Sequence, residues 1–500
     1  MRVTGLSVVV ATHHCRLKFK HLSRIIKISG RCIFAGNVYL CRVMLENIVS
    51  SVNSVVWSPV LVVLLIGAGL YFSIRTRFVQ VRRLPTMVKL LFGASSRPGE
   101  SKGLSSFQAF CVALSGRVGT GNIVGVATAI ALGGPGAIFW MWVIAFLGAS
   151  TAFVEATLAQ LYKFPHESGW RGGPASYISQ GLKSKALGIV FALCTIAGYG
   201  LLLVTVQSNG AASAIHNTLH ISPLAGGLFL AGLLALVIIG GVRSIANVAS
   251  VVTPFMALGY VIISLVILAL NWRSVPVLLG SIVTNAFGIN PLCGGILGST
   301  IAMGVKRGLF SNEAGQGGGA IVSASADVAH PAQQGLVQAF SVYVDTFLVC
   351  TATALMILSA GTFNVFGADG SPLYQGAPEL GANYVGYTQA AVDSVIKGFG
   401  GAFITVALLF FVFTTVMAYY FYAESSIIWL FSLRKNRKGE KLALWIYRIV
   451  ILSAVVFGAA REANLIWQLG DIGVGLTTWI NVVAILILCP QAIKALREID

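Results

Sequence analysis

Two glycine-rich polar stretches inside long apolar runs decide how this chain folds: Ser115-Gly116-Arg117-Val118-Gly119-Thr120-Gly121-Asn122 and Phe310-Ser311-Asn312-Glu313-Ala314-Gly315-Gln316-Gly317-Gly318-Gly319. Each interrupts a run otherwise apolar enough for a membrane helix. Unwinding a helix in a bilayer leaves backbone N–H and C=O groups without partners, which is tolerated only where they line a cavity or bind something. Amides near Gly121, Asn122 and Ile123 open the second half of the first interrupted helix and suit a carboxylate. Carbonyls near Phe310 and Ser311 suit an ammonium group or a sodium ion. Together the two breaks suit both ends of a zwitterion; the rival reading is close helix packing through small residues, with no ligand. The Gly-x-Gly elements are no dinucleotide fingerprint, because no βαβ unit surrounds them.

Outward from these breaks, the composition places the rest of the chain in a membrane. Of 500 residues, 56% are hydrophobic and 10% charged, with a mean hydropathy of +0.84. Soluble globular domains carry about 25% charged residues. Apolar runs predict eleven transmembrane helices, over 53–74, 107–132, 137–162, 186–212, 223–242, 248–270, 294–325, 333–360, 399–432, 442–460 and 465–489. Spans two to six and seven to eleven form two groups of five, each opening on an interrupted helix. Five is odd, so the second group enters from the opposite face, which is the arithmetic of an inverted repeat with a midplane site. The expected all-α organisation is a basic extension over 1–43, a first helix and basic loop over 44–106, repeats over 107–270 and 271–489, and a tail over 490–500.

The net charge of +18 does not point to nucleic acid, because the lysines and arginines fall between the apolar runs. Nineteen of them lie in the loops after spans one, three, five and nine and in the C-terminal tail, whereas the opposite loops carry Arg273, Lys397 and Arg461. The positive-inside rule puts the first set and the C-terminus in the cytoplasm. Residues 1–43 then conflict with their location. They hold eight basic residues and no acid, yet would have to lie outside, and they lack the order of a signal peptide. The expectation is that translation starts at Met44. Eight cysteines contain no CxxC pair, so a disulfide or zinc framework is not expected.

The run Gly133-Gly134-Pro135-Gly136-Ala137-Ile138-Phe139-Trp140-Met141-Trp142-Val143-Ile144-Ala145-Phe146-Leu147-Gly148 resembles the signature of the alanine or glycine:cation symporters, the sodium:alanine symporter family. Gly119-Thr120-Gly121-Asn122-Ile123, Phe310-Ser311-Asn312-Glu313-Ala314-Gly315 and the eleven-span plan resemble it too, from about Met44 to the C-terminus. The resemblance implies a leucine-transporter-like fold and sodium-coupled import of alanine, glycine or a similar small amino acid, serine and D-alanine included. It implies Na+ as coupling ion, no organic cofactor, and a bacterial inner membrane. Carried onto this chain, Gly119, Thr120, Gly121, Asn122, Gln207, Phe310, Ser311 and Asn312 would bind substrate, and Gly116, Gly119, Thr414 and Thr415 would hold sodium.

Elementary chemistry leaves alternatives open at several of these positions. Sodium prefers oxygen ligands, which two threonine hydroxyls and free carbonyls supply; alternatively Thr414 and Thr415 bond back to their own helix. Gln207 either binds substrate or makes a helix-to-helix hydrogen bond. Phe310 either closes over a small side chain or simply packs. Ionisable residues inside a membrane are functional candidates: Glu313 and Arg117 as a coupling or gating pair across the two breaks, Glu155 and Asp345 as proton relays. Glu155, close to Lys163, is expected to snorkel or pair at the inner surface, as is Glu424. Lys306 and Arg307 at membrane depth imply a partly hydrated seventh helix. The loop over 361–398 reads as a surface loop or a lid. A proton-coupled symporter or an exchanger is the alternative function. A channel would need a pore lined throughout, and an enzyme a nucleophile–base pair or metal cluster at membrane depth; the seven histidines supply neither.

Overall fold

The computed structural model describes residues 31–92, 103–288 and 297–499, with side chains from Met44 onward. The expected extension over 1–43 lies outside them, apart from the helical backbone of 31–43. Residues up to Ser54 form one unit, of which helix α1 (Arg31–Val56) is described, and Val55–Asp500 form the second.

The described residues of the eleven expected windows are mostly helical. The helices are α2 (Pro59–Arg75), the short α3 (Val79–Arg82) and α4 (Leu84–Phe92), α5 (Ser106–Arg117), α6 (Gly121–Gly133), α7 (Ala137–Leu161), α8 (Pro174–Gly181) and α9 (Lys185–Leu219). Then come α10 (Pro223–Ile238), α11 (Gly241–Leu270), α12 (Val275–Ala286), α13 (Leu297–Asn312), α14 (Gly318–Ala324) and α15 (Pro331–Ala360). The chain finishes with α16 (Tyr384–Asp393), α17 (Gly400–Ser432), α18 (Arg437–Ala459) and α19 (Ala463–Arg497). Among the described residues, eight helices are long and apolar enough to cross a membrane, nine if α5 and α6 count as one bent span. Both expected interruptions are present. α5 and α6 meet at a 50° bend, and α13 and α14 are separated by residues 313–317.

The cause of each break is local. α5 starts with a capping box, the Ser105 hydroxyl accepting from the Gln108 amide while the Gln108 side chain accepts from the Ser105 amide, and it ends where Val118 leaves helical geometry (φ −79°, ψ 89°). The second break is forced by backbone handedness: φ is +55° at Glu313, +91° at Gly315 and +94° at Gly317, which a helix cannot contain and glycine adopts without steric cost. Phe310, Ser311 and Asn312 therefore stay helical, and the interruption begins three residues later than the polar run suggests.

α7 is mostly apolar and buried along most of its length, and it packs against α2, α13, α14, α15 and α19. Close approach of α13 depends on Gly304, where an added Cβ would lie 2.5 Å from the carbonyl oxygen of Ala137 and 2.4 Å from the Trp140 Cβ. Gly304→Ala is expected to lower the unfolding free energy by about 1–3 kcal/mol, read as an earlier thermal transition in detergent. An unchanged transition would mean that the two helices separate there at no cost.

Outside the helices, β1 (Phe164–His166) and β2 (Gly169–Arg171) form an antiparallel hairpin after α7, and β3 (Asn364–Phe366) and β4 (Pro372–Gln375) form a second one after α15. The long 361–398 loop is thus ordered. It is stitched to the end of α9 by the Asn217 amide, which donates to Asn383 Oδ1 at 3.2 Å and Gln389 Oε1 at 3.1 Å.

Candidate functional site

At the first break the donors and the acceptors separate. The Gly119 amide donates to Asn122 Oδ1 at 2.9 Å, and the amide and hydroxyl of Thr120 donate to Gln207 Oε1 at 2.9 and 3.1 Å. The carbonyls of Ser115 and Val118 face the other way, toward the Thr415 hydroxyl on α17, at 2.8 and 3.1 Å; the same hydroxyl lies 2.7 Å from the Phe411 carbonyl of its own helix. A threonine hydroxyl has one proton. That one hydrogen cannot serve all three carbonyls, and the surplus lone pairs of the hydroxyl and of the two broken-helix carbonyls suit a hard cation. Thr414 does not reach the broken-helix carbonyls: its hydroxyl bonds back to the Phe410 and Phe411 carbonyls of its own helix, both at 3.0 Å.

Gly119 sits between the two groups. A Cβ there would fall 2.6 Å from Gln207 Oε1 and 2.7 Å from Thr415 Oγ1, so no larger residue fits. Gly116 is held as tightly, its missing Cβ replaced by the Tyr422 hydroxyl.

Asn122 and Ser311 converge on Asp345, a carboxylate with no solvent exposure carried on a π-helical turn of α15, Tyr343–Cys350. The Asn122 amide donates to Asp345 Oδ1 at 2.6 Å, the Ser311 hydroxyl to Oδ2 at 2.9 Å, and the Thr346 hydroxyl to Oδ2 at 2.7 Å. The Cys350 thiol lies 3.1 Å from Ser311 Oγ and 3.3 Å from the Asn122 amide nitrogen. Asp345 thereby joins the two breaks. Sequence reasoning named it only as a possible relay, and missed Thr346 and Cys350 beside it.

Arg117 and Glu313, expected as a pair, take other hydrogen-bond partners. Arg117, 2% exposed, donates through Nε to the Asn312 carbonyl at 2.7 Å and through Nη1 to Gln338 Oε1 at 3.1 Å and to the Ser341 hydroxyl. It still ties α5 to the end of α13, but through a carbonyl. Glu313 instead accepts from the Tyr422 hydroxyl at 3.3 Å. Glu155 is likewise not at the inner surface: it is fully buried and accepts from the Asn481 amide at 2.9 Å, which also donates to the Gly315 carbonyl at 3.0 Å. Asn481 thus links Glu155 to the second break at Gly315. Glu424 does pair, with Arg171 at 3.8 Å.

Lys306 and Arg307, expected to mark a hydrated helix, have a carboxylate partner. Both bind Asp471 on α19, Lys306 Nζ at 2.6 Å and Arg307 Nη2 at 2.7 and 2.8 Å to the two oxygens. Asp471 escaped the sequence reading, although an acid inside the apolar run 465–489 is a signal of the same kind as Asp345. Phe310, 3% exposed, lies on Gly121, where a Cβ would stand 3.1 Å from its ring.

Discontinuous helices at two positions of a helical membrane bundle, with a polar site between them, define a secondary transporter with a central binding site. The model of the sodium:alanine symporter family matches residues 42–500, and the chain belongs to that family. It is a transporter and not an enzyme. It is similar to the "Sodium/proton-dependent alanine carrier protein" of Bacillus sp. (strain PS3), 44% identical over 418 residues, covering 83% of this chain and 91% of the relative. It is also similar to the "Probable sodium/glutamine symporter GlnT" of Bacillus subtilis (strain 168), 40% identical over 456 residues and 91% of each chain. In fold it matches the crystal structure of MhsT in complex with L-phenylalanine, with a TM-score of 0.54 and 12% identity over 80% of this chain and 99% of that one, so the leucine-transporter-like architecture holds.

Proposed function

We propose that this protein imports a small neutral amino acid, alanine or glycine, by sodium symport through alternating access. The observation that carries the reading is the Thr415 hydroxyl set among carbonyls of the broken helix, with only Gly119 between the Val118 carbonyl and the Thr120 amide that donates to Gln207. Thr415 with the backbone around Gly116 and Gly119 holds sodium, with Thr414 behind it. Gly119, Thr120, Gly121, Asn122 and Gln207 receive the substrate carboxylate side, and Phe310, Ser311 and Asn312 the ammonium and side chain. Arg117, tied to the end of α13, and Glu313, held by Tyr422 of α17, serve as gating or coupling residues. Eleven crossings in a five-plus-five inverted repeat, a cytoplasmic C-terminus in a bacterial inner membrane, and initiation at Met44 complete the proposal.

Uptake of labelled alanine into proteoliposomes with an inward sodium gradient, against a potassium control, tests it. Accumulation above equilibrium with sodium alone is the expected result. Equal uptake under both gradients would remove sodium coupling. The second reading, proton coupling, draws on Asp345 buried between the two breaks and is tested by an inward proton gradient in sodium-free buffer. Asn122→Ala, which deletes the contacts to Gly119 and Asp345, is expected to cut sodium-driven uptake by at least about 10-fold, since hydrogen bonds to charged groups contribute about 1.5–3 kcal/mol. Full uptake in that variant would discard Asn122 from the site.

A further inference from the structure

Beyond the binding residues, the wall behind Phe310 is built by Trp467 of α19 and by Arg307, one turn earlier on Phe310's own helix α13. The Trp467 ring of α19 packs on the Phe310 ring at 5.2 Å between centroids. The Arg307 guanidinium lies over both, 4.9 Å from the Trp467 centroid and 5.5 Å from that of Phe310. Arg307 is itself 3% exposed and fixed by two bonds from Nη2 to the Asp471 carboxylate. Asp471 is steadied in turn, its carbonyl accepting from Trp57 Nε1 at 2.8 Å. Phe310 is thus confined: Gly121 backbone lies against the ring, and a clamped cation–aromatic stack packs on it.

We propose that this clamp, Trp467 and Arg307 locked by Asp471, sets the upper size of the substrate side chain by denying Phe310 room to turn away. Trp467 and Arg307 are positioning residues that act through Phe310, and the inference rests on the reading that Phe310 faces substrate. The class admitted is a zwitterion with a hydrogen, methyl or hydroxymethyl side chain; a carboxamide-bearing or branched side chain needs the ring displaced. Shape rejection by an apolar wall discriminates about 10- to 200-fold per methylene-sized difference. A flat guanidinium stacked on aromatic rings also adds rigidity that an ammonium in the same place lacks.

The test is competition in proteoliposomes under a sodium gradient, with labelled alanine as substrate and unlabelled glutamine as probe. In the unaltered protein, a hundredfold excess of glutamine is expected to leave alanine uptake untouched. In Trp467→Leu the same excess is expected to remove more than half of it, and direct glutamine uptake should rise at least about 10-fold relative to alanine. The ratio should return toward the original in Trp467→Phe, which keeps an aromatic ring, while the apparent affinity for sodium stays in place throughout. A folded Trp467→Leu protein with an unchanged glutamine-to-alanine ratio overturns the inference. Should that variant not fold, Arg307→Lys decides, because it keeps the charge for Asp471 but loses the flat stack; an unchanged ratio there also overturns it. Absence of alanine accumulation in the unaltered protein would instead reject the underlying symporter reading.

Discussion

Thr415→Ala is expected to bring sodium-driven alanine uptake down to the potassium control. Its hydroxyl stands 2.8 Å from the Ser115 carbonyl and 3.1 Å from that of Val118, in a wall with no solvent exposure. Removing it takes one oxygen from a set whose other members are backbone and cannot move in to replace it. A hydrogen bond or ligand contact to a charged group contributes about 1.5–3 kcal/mol, equivalent to about 10- to 150-fold in sodium affinity. Raising sodium should therefore restore part of the uptake, which separates a lost ligand from a lost fold. Thr414→Ala should cost less, since that hydroxyl is committed to Phe410 and Phe411 carbonyls. Equal losses in the two variants, or normal uptake in Thr415→Ala, would sink the assignment.

Asp471→Ala is expected to destabilise the protein by about 3–5 kcal/mol, the usual result of removing one partner from a buried ion pair. The carboxylate is 3% exposed and answers two cations, Lys306 and Arg307. Without it, two positive charges face one another inside the bundle. Lys306→Met is expected to be far milder, because Arg307 keeps both of its bonds to Asp471 and the pair becomes one-to-one. Unfolding in detergent, followed for both variants, makes the comparison. A loss below about 1 kcal/mol in Asp471→Ala would mean that water reaches the pair as it does at a surface.

What could be read from sequence follows from which forces are local. Apolar runs of membrane length and glycine-rich interruptions leave marks along the chain, so the helices and both breaks were legible. The edge of the second break was not, because it depends on where the backbone turns left-handed, at Glu313, Gly315 and Gly317, and not on where polarity begins. Thr414 and Thr415 are adjacent letters, but successive helix positions point about 100° apart, and only the packing of α17 on α5 decides which one meets the broken helix. Arg117 and Glu313 have opposite charges and lie on matching segments, so pairing them was the simple inference; the free carbonyl at the end of α13 and the Gln338 and Ser341 side chains take the guanidinium instead. Asp471 pairs with residues 164 and 165 positions earlier, a distance over which a single sequence carries no register.

The tight seat of Gly119, with Gln207 Oε1 and Thr415 Oγ1 each less than 3 Å from where its Cβ would be, bears on thermodynamics as well as on fit. On the proposed reading the ion lies on one side of that peptide and the substrate on the other, and each ligand would set the backbone orientation that the other meets. Such linkage is reciprocal: whatever factor sodium adds to the affinity for the amino acid, the amino acid must add to the affinity for sodium. A cell's ion gradient and its amino-acid pool would then be read by one peptide plane, with neither able to load the carrier without tightening its grip on the other.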